Sequence, residues 1–359
     1  MDSTSSGLDF AVIGHQDNWH NISAFINDIR VGEQDKLSLE KIRNIFSFIP
    51  PRDLFRVRFK SKTGTEVNGV YIDTFIDPDK LDAQFIRINV DKVKSAISHA
   101  KKLGARIVAL GGFTSIVLEG NLHSFSTGET KFTTGNSLTA AYIVKGIERA
   151  AFRKDIDLRE SSILIVGASG DIGTACISYL KAKVKKILLC ARNKYRLEKL
   201  SQELEKEDIS VKYSLNMQDL IPEADVIIGV ASSTGMELTN CKRGVLICDA
   251  GYPKNLEASV ETRFDLSLFH GGMGQLSHGY SFNPDYSKSI YRYAAPNVIH
   301  GCILEAVVLA FERKFEDYSS GRGNITIDSM EKIYHMGLKH GIDIAPFYNA
   351  NGLWRSDNI

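Results

Sequence analysis

The sequence predicts an α/β protein in two parts: an N-terminal α/β domain, then a doubly wound parallel sheet. Two observations carry this. The apolar run Ser161–Val166 leads directly into the glycine-rich turn Gly167-Ala168-Ser169-Gly170-Asp171-Ile172-Gly173 and then into a helical pattern. From there short apolar runs alternate with helical periodicity, the rhythm of βαβ units. Length agrees, since 359 residues make about two domains at roughly 150 residues each.

The elements follow in order. Leu8 to Ile13 reads as a strand. Val57 to Phe59 and Val67 to Tyr71 flank Lys62-Thr63-Gly64-Thr65, a hairpin with a glycine in its turn. Val93, Ala96, Ile97 and Ala100 are spaced for a helix over Asp91 to Leu103, which Gly104 caps. Arg106 to Leu110 is a buried strand, and Ser137 to Phe152 a long helix. The charged stretch Asp155 to Glu160 marks the domain boundary. Beyond it Lys186 to Cys190, Asp225 to Val230, Val245 to Asp249 and Leu266 to His270 are strands. Asp171 to Lys183 and Tyr195 to Glu205 are helices. A last helix is expected over Asn297 to Tyr318, after Pro296.

Composition narrows the function. Lys and Arg number 44 against 43 Asp and Glu, so the basic excess of a nucleic-acid-binding protein is missing. No apolar run approaches the ~18 residues of a membrane span, and Ile303 to Phe311 is interrupted by Glu305. Met1 to Asp9 is polar and acidic, unlike a signal peptide. Cys176, Cys190, Cys241, Cys248 and Cys302 contain no C-x-x-C pair, so neither a disulfide framework nor a structural metal is expected. The reducing cytoplasm is the expected compartment.

The glycine turn has a chemical reason. Glycines let backbone approach a pyrophosphate, and the following helix presents free N–H groups to it. Gly167, Ser169, Gly170, Asp171, Ile172 and Gly173 are the candidate cofactor residues; the alternative is a tight structural turn. The next strand ends at Cys190-Ala191-Arg192-Asn193-Lys194. Arg192 stands where an NAD enzyme carries an acid, and a guanidinium suits the 2′-phosphate of NADP. A solvated surface arginine is the alternative. Tyr195 and Lys199 have a Y-x-x-x-K spacing, but on a surface helix they read as solvated.

Taken together, Ile13-Gly14-His15, Ala109 to Ile116 (A-L-G-G-F-T-S-I), Phe132-Thr133-Thr134-Gly135-Asn136, Gly167 to Gly173, Asp249 to Asn255 (D-A-G-Y-P-K-N), Gly271-Gly272 and Cys302 are similar to the long-chain fatty acyl-[acyl-carrier-protein] reductases. The resemblance runs from about Phe10 to about Gly341. A wider resemblance is to the shikimate dehydrogenase architecture, in which a substrate domain precedes the nucleotide domain and a C-terminal helix returns to the first. Val230 to Met236 looks like that group's loop beside the nicotinamide. The resemblance implies a substrate (acyl) domain over residues 1–155, an NADP-binding Rossmann domain over 156–295, and a C-terminal helical segment over 296–359 packing between them. It also implies cofactor contacts at Ala231, Ser232, Tyr252 and Gly272.

The implied reaction uses NADPH to reduce an acyl thioester to a fatty aldehyde through a cysteine acyl-enzyme. The donor is acyl carrier protein or coenzyme A, and a downstream enzyme is a possible taker of the aldehyde. Cys190 and Cys248 fall in strands and Cys176 on a buried helix face, where thiols are inert. Cys241 lies in a polar loop beside Lys242 and Arg243. Cys302 follows Gly301, about two helical turns after Pro296, where the field of a helix N-terminus has faded. By its residues alone Cys302 reads as a core thiol, and the resemblance makes it the nucleophile. Oxyanion donors are sought among Thr114, Ser115 and Thr133, with Asn136; plain turn and cap chemistry is the alternative. His15 is the candidate proton donor, whereas His300 faces elsewhere on a regular helix.

Arg56, Arg58, Lys60 and Lys62 alternate along a strand and so share a face. They suit an acidic carrier protein, or they guard a sheet edge. Lys181, Lys183, Lys185 and Lys186 form a competing cluster. Two other readings stay open. A dehydrogenase of a small polar metabolite needs a Lys–Asp pair, for which Lys254 has no evident partner. An NADP-binding sensor would not need Cys302.

Overall fold

The computed structural model describes residues 7–354 apart from 17, 29, 31–35, 82, 118–127, 233–234, 258–259, 261–262, 264–265, 287–291 and 320–322. Ser233 and Thr234 of the expected nicotinamide loop lie outside the described residues. The chain forms two compact units: Met1–Gly135 with Leu276–Arg322 and Met336–Ile342, and Asn136–Gln275 with Gly323–His335 and Asp343–Ile359. Among the described residues no helix is long and apolar enough to cross a membrane.

The first unit contains, in chain order, β1 (Phe10–Gly14), α1 (Trp19–Asp28), α2 (Leu39–Phe46), β2 (Arg52–Lys60), β3 (Glu66–Asp73), α3 (Ile86–Lys102), β4 (Ile107–Leu110), α4 (Phe113–Val117) and β5 (Lys131–Thr133). Its six-stranded sheet has the order Tyr280–Asn283, β2, β3, β1, β4, β5. β3, β1, β4 and β5 are mutually parallel. They therefore release the chain at one edge, at Asp73, Gly14, Leu110 and Thr133. The expected hairpin is present, with Gly64 at φ +86°. Phe55, Val57 and Phe59 are buried while Arg56, Arg58 and Lys60 are exposed. β2 is not a sheet edge, because Tyr280–Asn283 pairs with it antiparallel.

On one face of the sheet α3 buries Val93, Ala96, Ile97 and Ala100 against Ala11, Ile13, Val70, Ile72, Val108 and Leu110. The helix Gly301–Phe311 also packs on β1, β3 and β4. It is apolar on all sides except for Glu305, and nearly every residue in it is buried. The expected single helix over Asn297 to Tyr318 is wrong at both ends. Asn297 takes φ +59°, and Val298–His300 is extended. Arg313, at φ +55°, turns the chain after Phe311. Two buried β-branched residues, Val298 and Ile299, favour strand over helix here. Cys302 is therefore the second residue of its helix.

The second unit contains α5 (Asn136–Arg153), β6 (Ser162–Val166), α6 (Asp171–Leu180), β7 (Lys186–Cys190), α7 (Lys194–Lys206), β8 (Val211–Ser214), β9 (Val226–Gly229), β10 (Leu246–Asp249) and β11 (Ser267–His270). The sheet order is β8, β7, β6, β9, β10, β11, every pair parallel. Numbered within the unit this is 3-2-1-4-5-6, the dinucleotide-binding order, and its direction reverses between β6 and β9. The expected strands β6, β7, β9, β10 and β11 are all there. α5 packs on this unit, with Gly146 against Phe269.

In the first unit, Gly69 of β3 faces the Phe10 ring, and a Cβ built there would lie 2.2 Å from it. Phe10 is fully buried. Gly69→Ala should therefore destabilise the protein by about 1–3 kcal/mol through overpacking, measured by chemical denaturation. An unchanged midpoint would mean that the ring can swing aside.

Candidate active site

The glycine turn lies at the point where the strand order reverses. Gly167 takes φ +95°, and a Cβ there would lie 2.8 Å from the Val230 carbonyl oxygen and the Ala231 nitrogen. A Cβ on Gly173 would lie 2.4 Å from the Gly167 oxygen. These contacts draw the loop tight between β6, β9 and α6. Gly170 caps α6 with no side-chain bond to the first-turn amides around Asp171, Ile172 and Gly173. Ser169 lies on the loop, half-buried. The Asp171 carboxylate accepts the Gly323 N–H at 2.7 Å and a bond from Asn136. It therefore anchors the turn, and burial raises its pKa.

Arg192 is exposed at the end of β7, and its guanidinium donates to Ser232 Oγ at 3.3 Å. Guanidinium and hydroxyl together suit a phosphate monoester. Asn255 accepts the Ala231 N–H at 3.2 Å and donates to the Ala231 carbonyl at 2.7 Å, which fixes the loop after β9. Asp249 in turn accepts the N–H groups of Gly251, Asn255 and Leu256 at 3.1, 3.2 and 2.9 Å. Tyr252 is half-buried beyond β10. Gly272 follows β11 at φ +70°, 3.1 Å from Thr139 by its added Cβ. Tyr195 is exposed on α7, as expected of a solvated helix residue.

In the first unit, His15, Gly111 to Ser115, Thr133 to Gly135 and Cys302 converge at the carboxyl edge of the parallel strands. Gly135, at φ +73°, lies so close beneath the Cys302 helix that a Cβ would fall 2.1 Å from Cys302 Cα. The Cβ position of Gly111 is 3.6 Å from Cys302 Sγ. Burial pushes the Cys302 thiol up to about 11, and the nearby Glu305 raises it further. Against them work backbone amides of Gly112, Ile303 and Cys302 itself. Cys176 and Cys190 are likewise pushed up by burial, to about 12 and about 11, and Cys248 well above the ordinary thiol range. The surrounding amides and the helix start, rather than acidity, distinguish Cys302.

The hydroxyls named from the sequence are committed elsewhere. Thr114 donates to the Gly111 carbonyl and Ser115 to the Gly112 carbonyl, each at 2.8 Å. Thr133 donates to Glu305 and accepts the Gly135 N–H at 3.1 Å. They shape the loops around the Cys302 turn. Asn136 serves the glycine turn through Asp171. His15 Nε2 accepts the Phe113 N–H at 3.0 Å, so its proton is on Nδ1, which donates to the Gln16 carbonyl at 3.0 Å. Neutral and doubly bonded, it holds the Gly112–Phe113 turn. In this arrangement the Nδ1 proton is shared with the Gln16 carbonyl, and Nε2 accepts from the Phe113 backbone.

Sequence reasoning gave no role to Gly135, Glu305, Asp73 or Asn255. Gly135 and Asn255 lay within quoted motifs. Glu305 had a signal of its own: a lone acid in an apolar helix is costly unless it is used.

Among known proteins, the chain is 32% identical over 344 residues to the long-chain acyl-[acyl-carrier-protein] reductase of Synechococcus elongatus, covering 92% of this chain and 97% of that one. It is 30% identical over 201 residues to the glutamyl-tRNA reductase of Actinobacillus succinogenes, covering 50% and 44%. The family model for shikimate / quinate 5-dehydrogenase matches residues 149–270. A solved shikimate 5-dehydrogenase from Listeria monocytogenes is 12% identical, with a TM-score of 0.35 over 93% of this chain and 98% of that one.

Asp73, buried at the same strand edge as Cys302, gives a pH prediction. Desolvation raises its pKa to about 6, outweighing bonds from Gln16, Phe75 and Tyr71 and the charge of Lys92. The folded value exceeds the ordinary aspartate value of 3.8, so the stabilisation by protonation is complete below about pH 4 and lost as pH rises through about 6. The difference is about 3 kcal/mol. Asp73→Asn should melt higher than the wild type at pH 8, and this advantage should vanish near pH 4. A pH-independent difference would count against the assignment.

Proposed function

Because the chain belongs to the long-chain acyl-[acyl-carrier-protein] reductase family, we propose that it reduces a long-chain acyl thioester to the aldehyde through an acyl-enzyme on Cys302. The observation that carries this reading is the thiol at the first turn of a buried helix, with three backbone amides directed at it. The Cys302 sulfur attacks the thioester carbonyl; the new C–S bond forms as the carrier C–S bond breaks. The amides of Gly112, Cys302 and Ile303, which reach the Cys302 sulfur, would also steady the tetrahedral oxyanion. A fixed turn is needed for that, and His15, Thr114 and Ser115 supply it.

The second unit fits a dinucleotide. Its turn has no room for side chains at Gly167 or Gly173, and the first turn of α6 is uncapped by any side chain. Gly167, Ser169, Gly170, Ile172 and Gly173 would hold the pyrophosphate, and Arg192 with Ser232 the 2′-phosphate of NADP. Ala231, Tyr252 and Gly272 would line the nicotinamide end, and Asp171 would keep the turn in shape. NADPH, when bound, supplies the hydride that takes the acyl carbon to the aldehyde level.

Acyl carrier protein is the donor this reading favours, with acyl-coenzyme A as a possible substitute and a downstream enzyme as a possible taker of aldehyde. Arg56, Arg58 and Lys60 form the docking row. Both rows carry local ion pairs: Arg56 pairs with Asp53 and Arg58 with Glu66, each at 3.9 Å, while the competing Lys181, Lys183, Lys185 and Lys186 pair at shorter range with Glu207, Glu148, Glu160 and Glu223. The small-metabolite dehydrogenase reading is weaker. Lys254 donates to the Asp249 backbone carbonyl at 3.0 Å and makes no acid–base pair with its carboxylate there.

Mixing the protein with a long-chain acyl carrier thioester, without NADPH, should add one acyl mass that is absent in Cys302→Ala. NADPH should then discharge it as aldehyde. A protein that binds NADPH but forms no adduct with either donor would defeat the reading. Arg192→Ala should raise the KM for NADPH about tenfold or more while leaving that for NADH nearly unchanged; equal losses with both cofactors would remove Arg192 from the 2′-phosphate.

A further inference from the structure

We propose that Glu305 is the proton store of Cys302, taking the thiol proton as the sulfur attacks and returning it to the departing carrier thiolate. The inference rests on Cys302 as the nucleophile. Glu305 is fully buried in a helix otherwise lined with apolar side chains. It stands three residues after Cys302, which places the two on one helical face about 5–6 Å apart between Cβ atoms. The Thr133 hydroxyl donates to Glu305 Oε1, and the same oxygen of Thr133 accepts the Gly135 N–H at 3.1 Å. Gly135 is the residue packed against the Cys302 backbone. One short set of contacts thus links the acid, the loop and the thiol-bearing turn.

The imidazoles near this turn are already engaged. His15 Nε2 accepts from Phe113, and His300 Nε2 is bonded to the Tyr293 hydroxyl at 2.7 Å. Burial opposes a free thiolate, and the nearby Glu305 opposes it as well. Moving the proton from sulfur to carboxylate adds no charge. The pair holds one proton and one negative charge before and after the transfer, so its low-dielectric surroundings penalise it far less than net ionisation. Acylation then proceeds in balance: the Cys302 C–S bond forms, the carrier C–S bond breaks, and the stored proton leaves on the carrier thiol. After reduction, the Cys302 thiolate freed by collapse of the hemithioacetal takes up one proton from solution. In this scheme Glu305 exchanges its proton with the two reacting sulfurs and is a catalytic residue.

The test is Glu305→Gln, which keeps an acceptor for Thr133 and removes the base. Two rates are read by intact mass: acylation by an acyl carrier thioester without NADPH, and alkylation of Cys302 by iodoacetamide at neutral pH. Both should fall about tenfold or more, with kcat reduced and the KM for the acyl carrier unchanged. A carboxylate that merely repels the thiolate predicts the opposite sign; equal or faster rates in Glu305→Gln overturn the proposal. Should the wild type accept no acyl group, the nucleophile reading fails, while the iodoacetamide comparison still decides whether Glu305 controls the thiol. If Glu305→Gln does not fold, infrared difference spectra of the wild type before and after alkylation serve instead. A new protonated-carboxyl band, absent in Cys302→Ala, supports the proposal, and no band overturns it.

Discussion

The candidate thiol site depends on a missing methyl group. At Gly135 the backbone of one segment lies directly against the backbone of another, at the first turn of the Cys302 helix. No other residue type leaves that space or takes φ +73° as readily. From this contact follow the height of the helix start above the strand edge, the reach of the Gly112 amide to the sulfur, and the meeting of Thr133 with Glu305. The parallel strands β1, β4 and β5 bring the loops to one edge, and the glycine sets how closely they approach the helix.

Two opposed effects meet at the sulfur. Burial disfavours any anion there, whether thiolate or tetrahedral oxyanion. Helix-start amides favour both. At Cys302 burial outweighs the amides and holds the thiol well above its ordinary range. In the acyl-enzyme scheme proposed above, the amides would matter more once charge moves from sulfur to the substrate oxygen, because fixed dipoles need no reorganisation. A site that is unreactive while empty protects a surface-near thiol from adventitious oxidation, since oxidation follows thiolate character.

Much of the fold was legible because its signals are local. The β6–glycine turn–α6–β7 order, the Gly64 hairpin and the α3 stripe each follow from short-range pattern. The strands read poorly were those without pattern: β8 is a sheet edge of mostly polar residues, and β5 has three residues. The helix start at Gly301 was hidden because Asn297 in a left-handed conformation cannot be told from a helix cap by type alone. The site was legible in its motifs but not in its bonds. Ser115, Asn136 and His15 were drawn from motifs that lie at the two strand edges. Their hydrogen bonds go to a carbonyl, a carboxylate and a turn, which only three-dimensional placement reveals. Glu305 was visible as a charge out of place, and its meaning came from Thr133, 172 residues away in sequence.

The Asn255 clamp on Ala231 has a consequence for how this sequence can vary. A Cβ on Gly229 would lie 2.8 Å from Asn255 Oδ1, and one on Gly251 2.6 Å from its amide carbon. Two separate glycines thus make the niche that a single amide fills from a third segment. Positions 229, 251 and 255 should drift together or not at all. A lineage that loses the amide gains freedom at both glycines, and one that fills either glycine must first give up the amide. The three positions behave as one inherited character spread over 27 residues of chain.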